Sequence, residues 1–485
     1  MSADSTNPWS GFYKLPIAQR QNLLAEACHL TAEDLALLNK AGPLPLSVAD
    51  TMSESVVGTV GLPLSVAPNF VINGRPYVVP MAIEEPSVVA AASHAAKLAA
   101  PDGFTAEYSG SIMIGQIQLV RVPDLKKAVR TLKTQKEALI TEAQKHAGHI
   151  TKYGGGVVDM DHRVLETKRG PMILIHFHVN VQDAMGANIV NTILEGVAPA
   201  LAERLGGQVV LRILSNLSTA RMASARAVWK ADKIGGPEAV EGILDAWALA
   251  AADPYRRATH DKGIMNGIDA VALACGQDWR AVEAGAHSYS ALTGAPLSEF
   301  SKTKSGDLEG KISLPLAVGT LGGSLKANST ASLSLRILNV KTSGELAQVM
   351  AAVGLAQNFA ALRALTLEGI QKGHMRLHAR HLASAAGAAP DEAPKVVELI
   401  DKSAEKPPAS AGGVNAGRRV ENSPNELQTQ PSRFAAKKAA NGQRGANCRA
   451  TFVRAGCSSA NLMLERKQVN EAGAADALKA LRSRK

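Results

Sequence analysis

Residues 111–215 change apolar period in a succession that few folds accommodate. Residues 112–122 carry the two-residue period of a strand, and residues 124–146 the 3.6-residue period of a charged amphipathic helix. After the turn Gly154-Gly155-Gly156, residues 157–165 and 172–181 alternate as a strand pair. A second helix over 183–205 and a strand over 208–214 complete the order β-α-β-β-α-β, that of a ferredoxin-like module. Long apolar helical patterns follow it at 240–251 and 279–291, so the module reads as an insertion into a larger helical body.

That larger body opens with short amphipathic helices over 16–56, one of them started by Thr31 as N-cap with Glu33 and Asp34 in its first turn. An extended pair turns at Asn73-Gly74. The second strand of the pair, residues 77–83, runs into Glu84-Glu85-Pro86-Ser87, where Pro86 marks a helix start. Two carboxylates closing an apolar strand are either a surface charge near a helix dipole or, if one is buried, a candidate acid.

The net charge of +10 invites a nucleic-acid reading until it is located. Residues 402–485 carry 16 Lys and Arg against 6 Asp and Glu, whereas residues 1–401 carry 37 of each sign. The folded part is therefore neutral, and a nucleic-acid partner is not expected of it. The excess belongs to a Pro-, Ala-, Gly- and Ser-rich tail over 406–485, which reads as disordered apart from a short helix over 472–482. The N-terminus has neither the basic nor the apolar region of a secretory signal, and no run of about 18 uninterrupted apolar residues suggests a membrane span. The four cysteines lie in unlike contexts, without a CxxC pair. The expected compartment is the reducing cytoplasm.

Three further stretches carry candidate chemistry. Residues 253–269 hold Arg256, Thr259, His260, Lys262 and Asn266 in close succession, and read as a Gly-bounded turn around Lys262 leading into the apolar run 271–275. Asp183-Ala184-Met185-Gly186-Ala187-Asn188 opens the second helix of the module with small residues. Free N–H groups and the helix dipole there suit a pyrophosphate, but neither GxGxxG nor GxxxxGK[ST] is present, and by spacing alone a tightly packed helix start with Gly186 and Ala187 against the sheet is the better reading. His374 and His378 stand at i, i+4 beside Met375, without the Glu of an HExxH zinc site, so a titratable acid is the better reading and no metal is expected. Asp278, just before Trp279, reads first as an N-cap.

Taken together and in order, Glu84-Glu85-Pro86-Ser87, Asp183 to Asn188, Asp261-Lys262-Gly263-Ile264-Met265-Asn266-Gly267 and Gly373-His374-Met375 resemble the 3-hydroxy-3-methylglutaryl-coenzyme A (HMG-CoA) reductases of the shorter, soluble bacterial class (class II). The likeness extends over roughly residues 10–395. It implies an α+β fold. A large, mostly helical substrate-binding domain (1–110 and 218–372) would carry the inserted dinucleotide-binding domain (111–217), followed by a C-terminal helical flap (373–405) and the tail.

The implied reaction interconverts HMG-CoA with mevalonate and CoA by two hydride transfers from NAD(P)H, through a mevaldehyde-level intermediate. The catalytic set implied is Glu85, Lys262, Asp278 and His374, with Lys262 stabilising the oxyanion, Asp278 near it, Glu85 as proton donor and His374 protonating the departing thiolate. Ser87, Arg256, Thr259, Asn266 and Asn358 correspond to contacts of the HMG moiety. Asp183, Met185, Gly186, Ala187, Asn188 and Asn216 correspond to the dinucleotide side. The family's sites lie at a homodimer interface, so at least a dimer is implied.

One departure bears on the cofactor. Where a strictly NADH-using relative carries an aspartate, this chain reads Lys145-His146-Ala147-Gly148-His149, so NADPH is expected to be accepted. Two alternatives stand beside this reading: the same fold run oxidatively to degrade mevalonate, and an inactive reductase-like scaffold that binds nucleic acid through the tail.

Overall fold

Two antiparallel-rich sheets, each with its own apolar core, answer the two periodic patterns of the sequence. In this computed structural model the described residues are 8–40, 44–322, 325, 327–367, 383, 386–389, 392, 395–396, 398–399 and 471–483. Residues 1–374 form one unit and 375–485 another.

The strands in chain order are β1 (Leu64–Ile72), β2 (Arg75–Ala82), β3 (Phe104–Tyr108), β4 (Ile112–Val120), β5 (Gly156–Thr167), β6 (Gly170–Asn180), β7 (Gln208–Ser215), β8 (Met222–Trp229), β9 (Ser298–Lys302) and β10 (Leu308–Pro315). One sheet runs β2-β1-β3-β8-β10-β9 and the other β5-β6-β4-β7. The expected hairpin at Asn73-Gly74 joins β1 to β2, with Ile72 opposite Arg75 and positive φ at both turn residues, the geometry that Asn-Gly accepts at little cost.

Helices predominate around the first sheet, but the sheet itself was only partly visible beforehand. β3, β8 and β9 are short, and two of them are rich in Ala or Ser rather than in β-branched residues, so they lack a strand-like composition. Tertiary packing makes them strands. Ala223, Ala225, Ala227 and Trp229 of β8 turn inward, and Trp229 stacks on Phe359 with ring centroids 4.0 Å apart. Phe359 belongs to the helix Ser343–Leu367, which is long and apolar enough to cross a membrane but is buried along most of its length as the central core helix.

The second sheet has the strand order of a ferredoxin-like fold. Ile173, Ile175, Phe177 and Val179 of β6 are fully buried against the helices, while His176 and His178 alternate onto the open face. Two helix boundaries differ from expectation. The helix expected over 124–146 divides into Leu125–Thr134 and Lys136–Gln144 at Gln135. Thr131 and Thr134 donate their hydroxyls back to the carbonyls four residues earlier, which weakens the regular ladder at that point. The helix expected from 183 begins only at Ala187, because Gly186 has φ 100°. The short tail helix expected over 472–482 is present as Glu471–Arg482, and Arg482 donates to Glu392 at 2.8 Å within the C-terminal unit.

Candidate active site

The stretch around Lys262 is not a turn. It is the middle of the helix Pro254–Ala274, started by Asp253, whose carboxylate accepts from the Arg256 N–H, and by Pro254 in the first turn. Gly263 and Gly267 misled the sequence reading, since glycine inside a helix costs up to about 1 kcal/mol. Gly267 is there for contact: a Cβ would meet the Gln357 side chain at 3.0 Å and Val353 at 3.1 Å. The result is a two-faced helix. His260, Asp261, Ile264, Met265 and Ile268 are buried, whereas Thr259, Lys262 and Asn266, spaced three and four apart, share the outer face with Gly263, beside which there is open space.

Glu85 comes to that face from the end of β2. Lys262 Nζ donates to Glu85 Oε2 at 3.0 Å, and Asn266 Nδ2 lies 3.4 Å from the same oxygen. The pair is open, Lys262 being 58% and Glu85 35% exposed by side chain, so water still reaches both. Pro86 does not begin the following helix. Ser87 caps Val88–Ala99 with φ 74°, a left-handed conformation costing about 1–3 kcal/mol for a non-glycine residue, and its hydroxyl makes no capping bond.

Asp278 is elsewhere. It caps the helix Trp279–Thr293, accepting from the Ala281 N–H at 3.1 Å, and its ion partner is Arg280 at 3.7 Å. That helix runs back along Pro254–Ala274. Ser290 donates to Asp261 at 2.5 Å, and Asp269 shares a hydrogen bond with Glu283, its carboxyl held above the usual range by burial and by that second carboxylate. Asp278 therefore lies beside the far end of the lysine helix, about 18 Å along its axis from Lys262 at 1.5 Å per residue. Within one chain Asp278 and Lys262 are not neighbours. His374 lies outside the described residues.

What Asp278 does adjoin, through Gln277, is the loop Asp183–Met185. Gln277 accepts from the Gly319 N–H at 2.8 Å, and Gly319 lies so tightly on the loop Asp183–Met185 that a Cβ would stand 2.5 Å from the Met185 nitrogen. The loop is nailed down further: Asp183 accepts from the Ser343 N–H at 2.8 Å through its carboxylate and from Thr320 and Leu321 N–H through its carbonyl. Gly186 packs on Val181, leaving no room for a Cβ, and no side chain caps the helix Ala187–Leu205. Free N–H donors at the start of a 19-residue helix, behind a close glycine approach, fit a dinucleotide pyrophosphate. Asn216 is exposed, with its carbonyl against Gly285. Among the described residues no group of three or more His, Cys, Asp or Glu is arranged to hold a metal.

A sequence profile of the hydroxymethylglutaryl-coenzyme A reductases matches residues 16–379. The chain belongs to this family. The 3-hydroxy-3-methylglutaryl-coenzyme A reductase of Archaeoglobus fulgidus is 53% identical over 392 residues, covering 80% of this chain and 90% of that protein. A probable 3-hydroxy-3-methylglutaryl-coenzyme A reductase of Borreliella burgdorferi is 37% identical over 67% of this chain and 76% of its own length. Among solved structures, the reductase of Streptococcus pneumoniae superposes with a TM-score of 0.73 at 41% identity, covering 81% of this chain and 96% of that one. A class II structure from the same organism, bound to NADPH in open conformations, matches with a TM-score of 0.71 at 41% identity, over 74% of this chain and 99% of that one.

Within this reductase, Asn358 occupies a different place from Asn266. It is 2% exposed and accepts from the Ser298 hydroxyl at 2.8 Å, while His260 Nε2 meets the same Ser298 at 2.7 Å. This His260-Ser298-Asn358 chain supports the lysine helix from behind and was not foreseen, because nothing in the local sequence pairs residues 38 and 60 positions apart. Burial, then the Arg256 charge, pushes the His260 imidazole down to about 4. A histidine depressed in the fold is protonated more readily in the unfolded chain, so stability should fall as pH drops from about 6.5 and level off near 4. The loss is on the order of 3 kcal/mol. Urea denaturation of wild type and His260→Asn across that window checks it: the variant should show a shallower pH slope.

Proposed function

We propose that the chain reduces HMG-CoA to mevalonate and CoA, the observation carrying this reading being the Lys262-Glu85 pair with Asn266 on the open face of the lysine helix. NAD(P)H supplies two hydrides in succession. The thioester carbonyl gains negative charge as it is reduced, and Lys262 offsets that charge. Arg256 is suited by its forked donors to the free carboxylate of the HMG moiety, with Ser87, Thr259 and Asn266 as neutral partners. The C–S bond then breaks, and His374 delivers a proton to the thiolate. In the second reduction Glu85, 3.0 Å from Lys262, supplies the proton to the aldehyde oxygen. A groove of about 980 Å³ along the helix Val88–Ala99, lined by Trp9, Phe12, Tyr13, Arg20, His94 and Lys97, supports a seat for the CoA moiety beside Ser87.

The active unit is read as a homodimer in which the Asp278 and cofactor loop of one copy complete the Glu85-Lys262 pair of the other. Two features support this. Asp278 is too far from Lys262 within one chain, and residues 53–63 form an apolar ribbon in which Val57 is fully exposed and Val60 is 96% exposed. The cytoplasm is the compartment proposed. With Lys145 and His149 exposed and no carboxylate at 145–149, NADPH is expected to be used at least as well as NADH. Comparing kcat/KM for the two cofactors tests this, and a strong NADH preference would refute it. The activity itself is tested by following reduced-nicotinamide absorbance with HMG-CoA; wild type inactive with both cofactors would end the proposal. Turnover with mevalonate, CoA and oxidised cofactor measures the reverse direction.

A further inference from the structure

Arg221 is a fully buried guanidinium, and among the described residues it has no carboxylate within ion-pair distance. Its donors go to four neutral oxygens drawn from three separate segments. Nε donates to the Tyr108 hydroxyl at 2.7 Å, Nη1 to the Met185 carbonyl at 3.0 Å, and Nη2 to the Ala184 carbonyl at 3.2 Å and to the Val318 carbonyl. Each partner has a place in the connection between the two sheets. Tyr108 ends β3, three residues before Ser111 and the entry to β4, and its hydroxyl lies 3.3 Å from that serine's. Arg221 itself follows the return from β7 to β8. Ala184 and Met185 are the loop that leads to the uncapped helix, and Val318 precedes the glycine on which that loop rests.

Burying a cation without a carboxylate costs stability that packing alone does not require, since an apolar side chain of similar size fills such a space as well. The carbonyls it draws inward explain the choice. In a trans peptide the C=O and the next N–H point in opposite directions. Holding the Met185 carbonyl on the buried guanidinium therefore aims the Gly186 N–H outward, ahead of the free N–H groups of Ala187–Leu205. The carboxylate of Asp183, on the same loop, faces this charge electrostatically and so helps to hold the loop on Arg221.

We propose that Arg221 is a positioning residue for the dinucleotide: it sets the Asp183–Gly186 loop, and through Tyr108 it ties that loop to both chain connections of the inserted domain. The inference rests on reading this loop as the cofactor site. Hydrogen bonds to charged groups of this kind are worth enough that Arg221→Lys, which keeps the charge but loses the fork, should raise the KM for NADPH about tenfold or more. The KM for HMG-CoA at saturating cofactor should stay within about twofold.

The experiment measures both KM values, and the NADPH Kd by fluorescence titration, for wild type, Arg221→Lys, Tyr108→Phe and Asn188→Ala. A split confined to the cofactor in Arg221→Lys supports the proposal. Folded Arg221→Lys with both KM values unchanged, or both raised together, overturns it. If that variant does not fold, Tyr108→Phe decides: weaker NADPH binding with an unchanged thioester KM supports the proposal, and unchanged NADPH binding overturns it. Asn188→Ala separates the two layers. If it leaves NADPH binding intact, the cofactor-loop reading itself fails; if it weakens binding while the Arg221 and Tyr108 variants do not, only the role of Arg221 fails.

Discussion

Replacing Lys262 with alanine is expected to lower kcat for HMG-CoA reduction by at least about 10²–10³-fold, the usual cost of removing one group that stabilises a developing oxyanion. The substitution is mild for the fold. Lys262 lies on the outer face of its helix with its side chain 58% exposed, alanine is the better helix former, and among the described residues the partner lost is an open Glu85 carboxylate. NADPH affinity should change little, because Lys262 is read as acting on the thioester oxygen and not as a ligand of the dinucleotide. Steady-state kinetics with a parallel NADPH titration check both parts. A kcat within tenfold of wild type would remove Lys262 from the chemistry, and weakened NADPH binding would point to a structural defect instead.

A larger effect is expected when two dead enzymes are mixed. Lys262→Ala and Asp278→Ala should each abolish turnover as homodimers. If a site takes its lysine from one copy and its aspartate from the other, a mixed dimer has one site lacking both residues and one intact site. Random re-association of equal amounts makes half of the dimers mixed, so activity should return to about one quarter of wild type. If both residues came from the same chain, every site in the mixture would lack one of them and nothing would return. The assay distinguishes the two arrangements by presence or absence rather than by degree.

How legible was this molecule beforehand? The inserted module was readable almost strand by strand, because β6 alternates cleanly, its neighbours are rich in Val, Ile and Leu, and glycine turns punctuate it. The large body was readable in its helices but not in its sheet: β8, Met-Ala-Ser-Ala-Arg-Ala-Val-Trp, is a strand through its neighbours rather than its composition. The lysine helix was mistaken for a turn because two glycines and a run of polar side chains outweigh periodicity in a local reading. Its buried side is polar as well, with His260 and Asp261 satisfied by residues far away in sequence.

The candidate site was legible as a set of residues but not as a geometry. Glu85, Lys262 and Asn266 meet as the motifs imply, Asn358 is drawn into the interior by Ser298, and Asp278 is carried away by a reversal of chain direction between two helices.

The core helix Ser343–Leu367 gives that separation a mechanical meaning. Its first residue holds Asp183 of the cofactor loop, and Val353 and Gln357 lie under Gly267 of the lysine helix. Those two attachments are about 15–21 Å apart along one continuous rod. The helix thus fixes the distance between the Asp183 loop and the lysine helix. A change in the rod's length or straightness would therefore displace both attachments together.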